Sequence, residues 1–280
     1  MRKNMNIALI LSGGIGSRIS SDIPKQYIPV NGKMIITRCI EAVLRCSLVD
    51  GLFIVADESR RTMILSEAEN TIDPGFTERF KGFAEPGTNR QLSILNGLRS
   101  IVSFIEDSRP DLVRESLQSE SAQQDVSDKG TDEARRFIRT PEKERDIVIV
   151  HDAARPLVSA DTIRACIETC SAHDGAMPAL PMKDTVYLSD NGKSISSLLD
   201  RKKVFAGQAP EAFLLKKYLR ANEALLPDGI LGINGASEPA LLVGMDVAII
   251  PGDENNFKIT TDHDLERYME IVQRPEKGRL

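Results

Sequence analysis

The chain has 280 residues, 41% hydrophobic and 28% charged, enough for one large or two small domains with a proper core. A formal net charge of −5 argues against a general nucleic-acid binder, which would carry a basic face. No apolar run is long enough to span a bilayer, so neither nucleic acid nor membrane is expected as a partner.

In chain order, the first apolar run is Ile7–Leu11; it is too short for a signal-peptide core and leads into glycines, which predicts a cytoplasmic protein. Further short runs rich in branched residues lie at Leu52–Ala56, Ile147–Val150, Ala176–Leu180 and Val247–Ile250. Amphipathic stretches alternate with them at Ile35–Leu44, Gln91–Ile105, Asp161–Ser171 and Leu214–Leu225, and Thr261–Val272 opens with a capping-type Thr-Asp. This alternation predicts an α/β fold with a mostly parallel sheet, and the continuous apolar strands predict helices on both of its faces. Between about Ser108 and Arg145 the sequence is polar with almost no apolar periodicity, and reads as a solvated insertion in a single domain spanning 1–280. The four cysteines form no CxxC pair and no metal spacing with the three histidines. Cys166 and Cys170, one helical turn apart, read as reduced core residues.

Three segments carry candidate chemistry. After the first strand comes Leu11-Ser12-Gly13-Gly14-Ile15-Gly16-Ser17-Arg18, then Pro24-Lys25-Gln26-Tyr27. Glycines let backbone N–H groups approach an anion, and Arg18 with Lys25 adds the positive charge that a triphosphate needs. The plain alternative is a tight turn and two surface cations. The loop is neither a Walker loop, lacking Gly-Lys-Ser/Thr, nor a good GxGxxG fingerprint. The second segment is His151-Asp152-Ala153-Ala154-Arg155-Pro156, directly after a strand. An acid at a strand's carboxyl end suits Mg²⁺, which takes one or two carboxylates beside phosphate oxygens. A turn-capping aspartate with Arg155 as its partner is the other reading, and His151 reads as a packed histidine. The third is Gly252–Thr261, where Lys258 is either an edge lysine or a further phosphate contact.

Together these blocks resemble the cytidylyltransferase family that contains the 2-C-methyl-D-erythritol 4-phosphate and ribitol-5-phosphate enzymes. The resemblance runs in order along nearly the whole chain outside the polar insertion. It implies a Rossmann-like sheet with a projecting arm near 181–205 that is exchanged in a homodimer. It also implies that CMP is transferred from CTP to a polyol phosphate with release of pyrophosphate and with Mg²⁺ as cofactor. Carried across by position, Ser12, Gly13, Gly14 and Gly16 form the loop over the nucleotide, while Arg18, Lys25 and Lys258 hold the phosphates during reaction. Gly87, Thr88, Asn89, Arg90 and Ser93 match the cytosine-recognition segment, with Ser93 near the base. Asp152 coordinates the metal, Arg155 supports the site, and Thr185 and Arg201 contact the acceptor, Arg201 in the partner's site. Two departures stand out: Ile233-Asn234-Gly235-Ala236-Ser237-Glu238 replaces a Thr-Asp segment, with Glu238 as a stand-in for the aspartate, and Asn255 stands where some relatives carry aspartate.

The acceptor is read both ways. His-Asp-Ala-Ala-Arg-Pro and Lys183-Asp184-Thr185 look like the methylerythritol phosphate enzymes, which are preferred here; Leu-Ser-Gly-Gly, Gly207-Gln208-Ala209-Pro210 and Lys-Ile-Thr-Thr look like the ribitol phosphate enzymes. Outside this class, a dinucleotide-binding oxidoreductase and a catalytically silent nucleotide-binding protein are the alternatives.

Overall fold

The computed structural model describes residues 4–14, 19–21, 23–72, 75–109 and 145–273. Gly16, Arg18 and almost all of the polar 108–145 segment, for which the sequence raises expectations, therefore lie outside the described residues.

The sheet grows outward from β1 (Asn6–Leu11), which pairs in parallel with β4 (Gly51–Val55) on one side and β6 (Ile147–Asp152) on the other. Two short strands, β2 (Pro29–Val30) and β3 (Lys33–Met34), form a separate hairpin, and β5 (Phe80–Ala84) extends the sheet beyond β4. Beyond β6, the antiparallel β11 (Glu211–Leu214) separates it from β7 (Gly175–Pro181). β10 (Phe205–Gly207) runs antiparallel to β7, and β12 (Val247–Pro251) runs parallel to it. Among the described residues only β10 and β11 oppose the common direction of this sheet, so the expected mostly parallel sheet is present, with a mixed half that periodicity does not reveal.

Alternate residues of the central strands feed two cores, as a pleated strand buried on both faces requires. Ala8, Ile10, Leu52 and Ile54 pack under α1 (Ile35–Leu44), α2 (Glu58–Thr71), α3 (Gly75–Arg79) and α5 (Ala160–Thr169). Ile7, Leu9, Phe53 and Val55 pack under α4 (Arg90–Ser108), α6 (Leu215–Glu223) and α7 (Glu238–Leu242). A third cluster joins Ile19, Val30 and Ile35 to Ile259 and to Tyr268 of α8 (Asp262–Gln273). All four cysteines are buried and reduced. The arm expected near 181–205 is a hairpin of β8 (Val186–Leu188) and β9 (Ser197–Leu199), largely exposed along its length.

α4 lies unusually close to the sheet because Gly97 has no side chain; a Cβ there would stand 2.5 Å from Leu9 Cδ1. Leu9 is itself fully buried, so moving it aside would disturb the packing around it. Gly97→Ala is therefore expected to destabilise the protein by on the order of 1 kcal/mol, overpacking outweighing the gain in helix propensity. Denaturant titration checks this, and an unchanged or raised midpoint would contradict the close packing.

Candidate active site

The site opens where the carboxyl ends of β1 and β6 meet. From β1 the chain crosses to β4 on one side, while β6 lies on the other, so this is the point at which the strand order reverses. Open α/β sheets place their ligands in the crevice at such a point. The cleft measures about 570 Å³ and is lined by the glycine loop, Lys25 and Gln26, the 87–93 segment, Asp152 to Ala154, and Lys258.

Its floor is held by side chains whose hydrogen bonds go to backbone. Gln26 Nε2 donates to Ser12 O at 2.6 Å and to Gly14 O at 2.8 Å, fixing the loop's path. Ser12 Oγ donates to Val55 O at 2.8 Å, which ties the same loop to β4. A Cβ on Gly13 would meet Pro86 Cβ at 2.7 Å, so glycine is needed where the two loops touch. Lys25 enters the cleft from a 3₁₀ turn, Lys25–Tyr27.

The opposite wall begins at Gly87, where a Cβ would stand 2.4 Å from Leu92 Cβ. Asn89 caps α4, its Oδ1 accepting from Leu92 N at 2.7 Å, while its Nδ2 donates to Ile230 O at 3.1 Å. Ser93, expected near the base, uses its hydroxyl within this turn, donating to Asn89 O at 2.8 Å and accepting from Gly87 N at 2.9 Å. The positive end of a 19-residue helix therefore faces the cleft.

Asp152 stands at the centre. Its Oδ1 lies 3.3 Å from Arg90 Nη2; its Oδ2 lies 3.0 Å from Lys258 Nζ and 3.6 Å from Arg155 Nε. Burial opposes its ionisation, but the charges of Arg90, Lys258 and Arg155 together prevail and hold the carboxyl well below the usual carboxylate range. Arg155 does not line the cleft; it braces Asp152 from behind and donates through Nη1 to Asn256 O at 2.6 Å. The bond from Ile259 N to Ala154 O, 2.9 Å, then sets Lys258 beside the carboxylate. Gln208 and Asn256 fasten this segment to the β10–β11 turn: Gln208 Nε2 reaches Asp253 O at 2.9 Å and Asn256 Nδ2 reaches Ala209 O at 2.7 Å.

The structure thus brings Ser12, Gly13, Gly14, Lys25, Gly87, Arg90, Ser93, Asp152 and Lys258 to one cleft. Thr185 and Arg201 are not among its lining residues; both are exposed on the arm, where Arg201 Nη1 donates to Lys183 O at 2.8 Å. Glu238 accepts from Asn234 N at 2.8 Å and from Gly235 N at 3.4 Å, so it shapes its own turn. Asn255 is exposed on the turn opened by Asp253. Gln26 and Glu211 are the site residues that sequence reasoning does not single out. The position of Gln26 behind a Pro-Lys pair offers no periodic cue, and Glu211 lies between the Gly207–Pro210 segment and the amphipathic stretch from Leu214, where no pattern marks it.

Glu211 and His151 are both buried beside this centre. Burial, with Asp152 adding to it and Arg90 acting against it, pushes the Glu211 carboxyl up to about 7 from 4.5. Burial pushes the His151 imidazole down to about 4 from 6.5, against the pull of Asp152. Their contributions to stability run in opposite directions. As pH falls from 6.5 towards 4 the unfolded chain protonates His151 and the folded one does not, which costs about 3 kcal/mol. As pH falls from 7 towards 4.5 the folded protein protonates Glu211 first, which offsets a similar amount. Without added metal or nucleotide, Glu211→Gln is expected to lose thermal stability on acidification from pH 7 to pH 4 much more steeply than the wild type. Melting curves across that range check it, and parallel slopes for the two proteins would contradict the pairing.

The model of the 2-C-methyl-D-erythritol 4-phosphate cytidylyltransferase family matches residues 6–130 and 128–274. The chain is 30% identical over 263 residues to the 2-C-methyl-D-erythritol 4-phosphate cytidylyltransferase of Geobacter metallireducens, covering 92% of this chain and 93% of that one. It is 26% identical over 280 residues to the ribitol-5-phosphate cytidylyltransferase of Streptococcus agalactiae serotype V, covering 99% and 98%. In fold it is similar to the crystal structure of 4-diphosphocytidyl-2C-methyl-D-erythritol synthase from Anaerococcus prevotii, with a TM-score of 0.69, 20% identity and 97% and 99% coverage. Matched by the family model from residue 6 to residue 274 and by a 30% identical relative over 92% of its length, the chain that builds this cleft belongs to the 2-C-methyl-D-erythritol 4-phosphate cytidylyltransferase family.

Proposed function

We propose that the chain transfers CMP from CTP to 2-C-methyl-D-erythritol 4-phosphate, releasing pyrophosphate. The observation that carries this is Asp152, an ionised carboxylate at the strand-order switch, ringed by Arg90, Lys258 and Arg155 and faced by a glycine loop and Lys25. Such a cleft is built for a polyphosphate and offers positioning and charge stabilisation, the two things phosphoryl-type transfer demands.

The residues divide the work by location. Backbone N–H groups of Ser12 to Gly14 and the α4 N-terminus cradle the phosphates. Lys25 on one side and Lys258 on the other stabilise charge as an oxygen of the acceptor phosphate bonds to the α-phosphorus and the bond to the β-phosphate's bridging oxygen breaks. Gly87 to Asn89 form the wall against which the cytosine lies. Among the described residues no group of three or more His, Cys, Asp or Glu is placed to hold a metal alone. A single buried carboxylate does fit a Mg²⁺ ion that arrives on the triphosphate, with phosphate oxygens and water completing its shell. Asp152 would hold it there, and the ion would neutralise charge on the phosphates.

Ribitol 5-phosphate is the second reading of the acceptor, favoured by the Gly207-Gln208-Ala209-Pro210 and Lys258-Ile259-Thr260-Thr261 sequences. Thr185 and Arg201 belong to the acceptor site in this proposal, delivered by the arm of a second copy. Exposed apolar side chains on the arm, Tyr187, Leu188, Ile195 and Leu198, support that pairing. Four reduced, buried cysteines support work in the cytoplasm, and among the described residues no helix is long and apolar enough to cross a membrane.

Pyrophosphate release from CTP and Mg²⁺ is expected with methylerythritol 4-phosphate and not with ribitol 5-phosphate; the reverse result would move the proposal to the second acceptor. Lys25→Ala and Asp152→Asn are each expected to lower kcat by about 10²–10³ while leaving the fold intact by circular dichroism, as loss of one charge-stabilising group does. Near-normal turnover in both would remove these assignments. Light scattering should give a dimer, and Leu198→Asp with Ile195→Asp should shift it to a monomer; a wild-type monomer would refute the shared acceptor site.

A further inference from the structure

Asp152 is fully engaged by protein cations, yet a metal-loaded nucleotide must claim one of its oxygens. Lys258 and Arg155 share Oδ2, whereas among the described residues only Arg90 pairs with Oδ1. Once Oδ1 is shared with a divalent cation, the buried side of the Arg90 guanidinium faces a positive charge and needs another acceptor.

Glu211 is placed to be that acceptor. It pairs directly with Val150 across the β6–β11 ladder, so its side chain projects from the same face as Val150 and Asp152. That is also the face covered by α4, whose first residue is Arg90. The first turn of α4 is fastened to the helix just after β11: Gln91 Nε2 donates to Tyr218 Oη at 3.2 Å and to Asn222 Oδ1. Glu211 is buried; Ser237 donates to its carboxyl, yet its Oε2 has no hydrogen-bond partner among the described residues. A buried carboxylate oxygen left unmatched is costly and calls for a reason. Burial weakens the charge of Arg90, and Asp152 first and Glu211 second restore it.

We infer that Glu211 is a positioning residue that takes over Arg90 from Asp152 when the nucleotide-borne cation binds, freeing Asp152 Oδ1 for that cation. This rests on the proposed metal-dependent cytidylyl transfer. Oε2 is then the unmatched half of a two-position contact, and Arg90 moves between two carboxylates on one sheet face without leaving the cleft wall.

The test uses the full chain with Mn²⁺ as a paramagnetic probe. Manganese affinity at saturating CTP is read by electron paramagnetic resonance, and CTP affinity in chelator by calorimetry. Glu211→Gln keeps the shape and removes the charge. It is expected to weaken Mn²⁺ binding about tenfold, as loss of a charged hydrogen-bond partner does, and to leave metal-free CTP affinity within about twofold. Arg90→Ala removes the competitor for Oδ1, so Mn²⁺ affinity at saturating CTP should be kept or raised, and adding Glu211→Gln should then cost nothing further, since without Arg90 there is no contact for Glu211 to take over. Equal losses with and without metal, no loss at all, or additive losses would each overturn the inference. If the wild type itself binds no Mn²⁺ with CTP, the metal-dependent reading falls first and takes this one with it. Should Glu211→Gln fail to fold, the wild type still decides the question. Its Arg90 Nε resonance, assigned with Arg90→Lys, should shift on adding Mg²⁺ to the CTP complex, and an unmoved signal would overturn the exchange.

Discussion

A carboxylate kept ionised inside a protein requires positive charge delivered to it from several directions, and the architecture here is arranged around that requirement. Asp152 ends β6, so the sheet fixes its position; the cations come from elsewhere. Arg90 arrives at the head of α4, Arg155 from the turn after β6, and Lys258 from a segment that is distant in sequence. Removing any one would leave the others imperfectly matched in a poorly solvated place. The tight seat of α4 over Leu9, the Asn89 cap and the Gln208–Asn256 fastening therefore have a common effect. Each holds one cation within reach of the same two oxygens.

The same arrangement explains why the cleft suits a polyanion. Three cations around one anion leave a net positive site, and a helix N-terminus adds to it. The chain's acidic total of −5 says nothing of this local balance. The three cations are already ordered around Asp152, which lowers the ordering cost for a polyanion entering beside them.

Much of this is legible in the sequence because the relevant residues come directly after apolar runs. Ile7–Leu11 and Ile147–Val150 mark strands, and the carboxyl end of a parallel strand is where chemistry belongs. The mixed half of the sheet and the outer strands are harder to read. β5 contains Gly82 at φ +147°, which breaks the alternation of a strand, and β11 runs straight into α6, so that its last residue, Leu214, reads as the start of the helix and too few remain to mark a strand. α2 leaves little trace because only Ile64 and Ala68 of its fourteen residues are buried, giving almost no apolar stripe. Glu238 looks able to replace a lost aspartate because sequence shows a charge without showing that backbone N–H groups have already claimed it. Glu211 is invisible for the converse reason: an acid in a four-residue strand gives no hint that it is buried beside a binding cleft.

The ends of the polar segment sit far from this chemistry. α4 starts at the cleft with Arg90 and ends at Ser108, while β6 starts at Ile147 and ends at the cleft with Asp152. The chain on either side of the segment is therefore anchored at the opposite pole of the sheet. Asp146 Oδ1 accepts from Met5 N at 2.7 Å and lies 3.4 Å from Arg109 Nη1, and Arg145 Nη2 donates to Cys170 O at 2.7 Å. With both flanks clamped there, the described residues next to the segment take no part in the cleft wall. The two poles of the sheet thus divide the labour: one end gathers charge around Asp152, and the other locks the strand and helix ends in register, so that the cleft's geometry is braced from a distance.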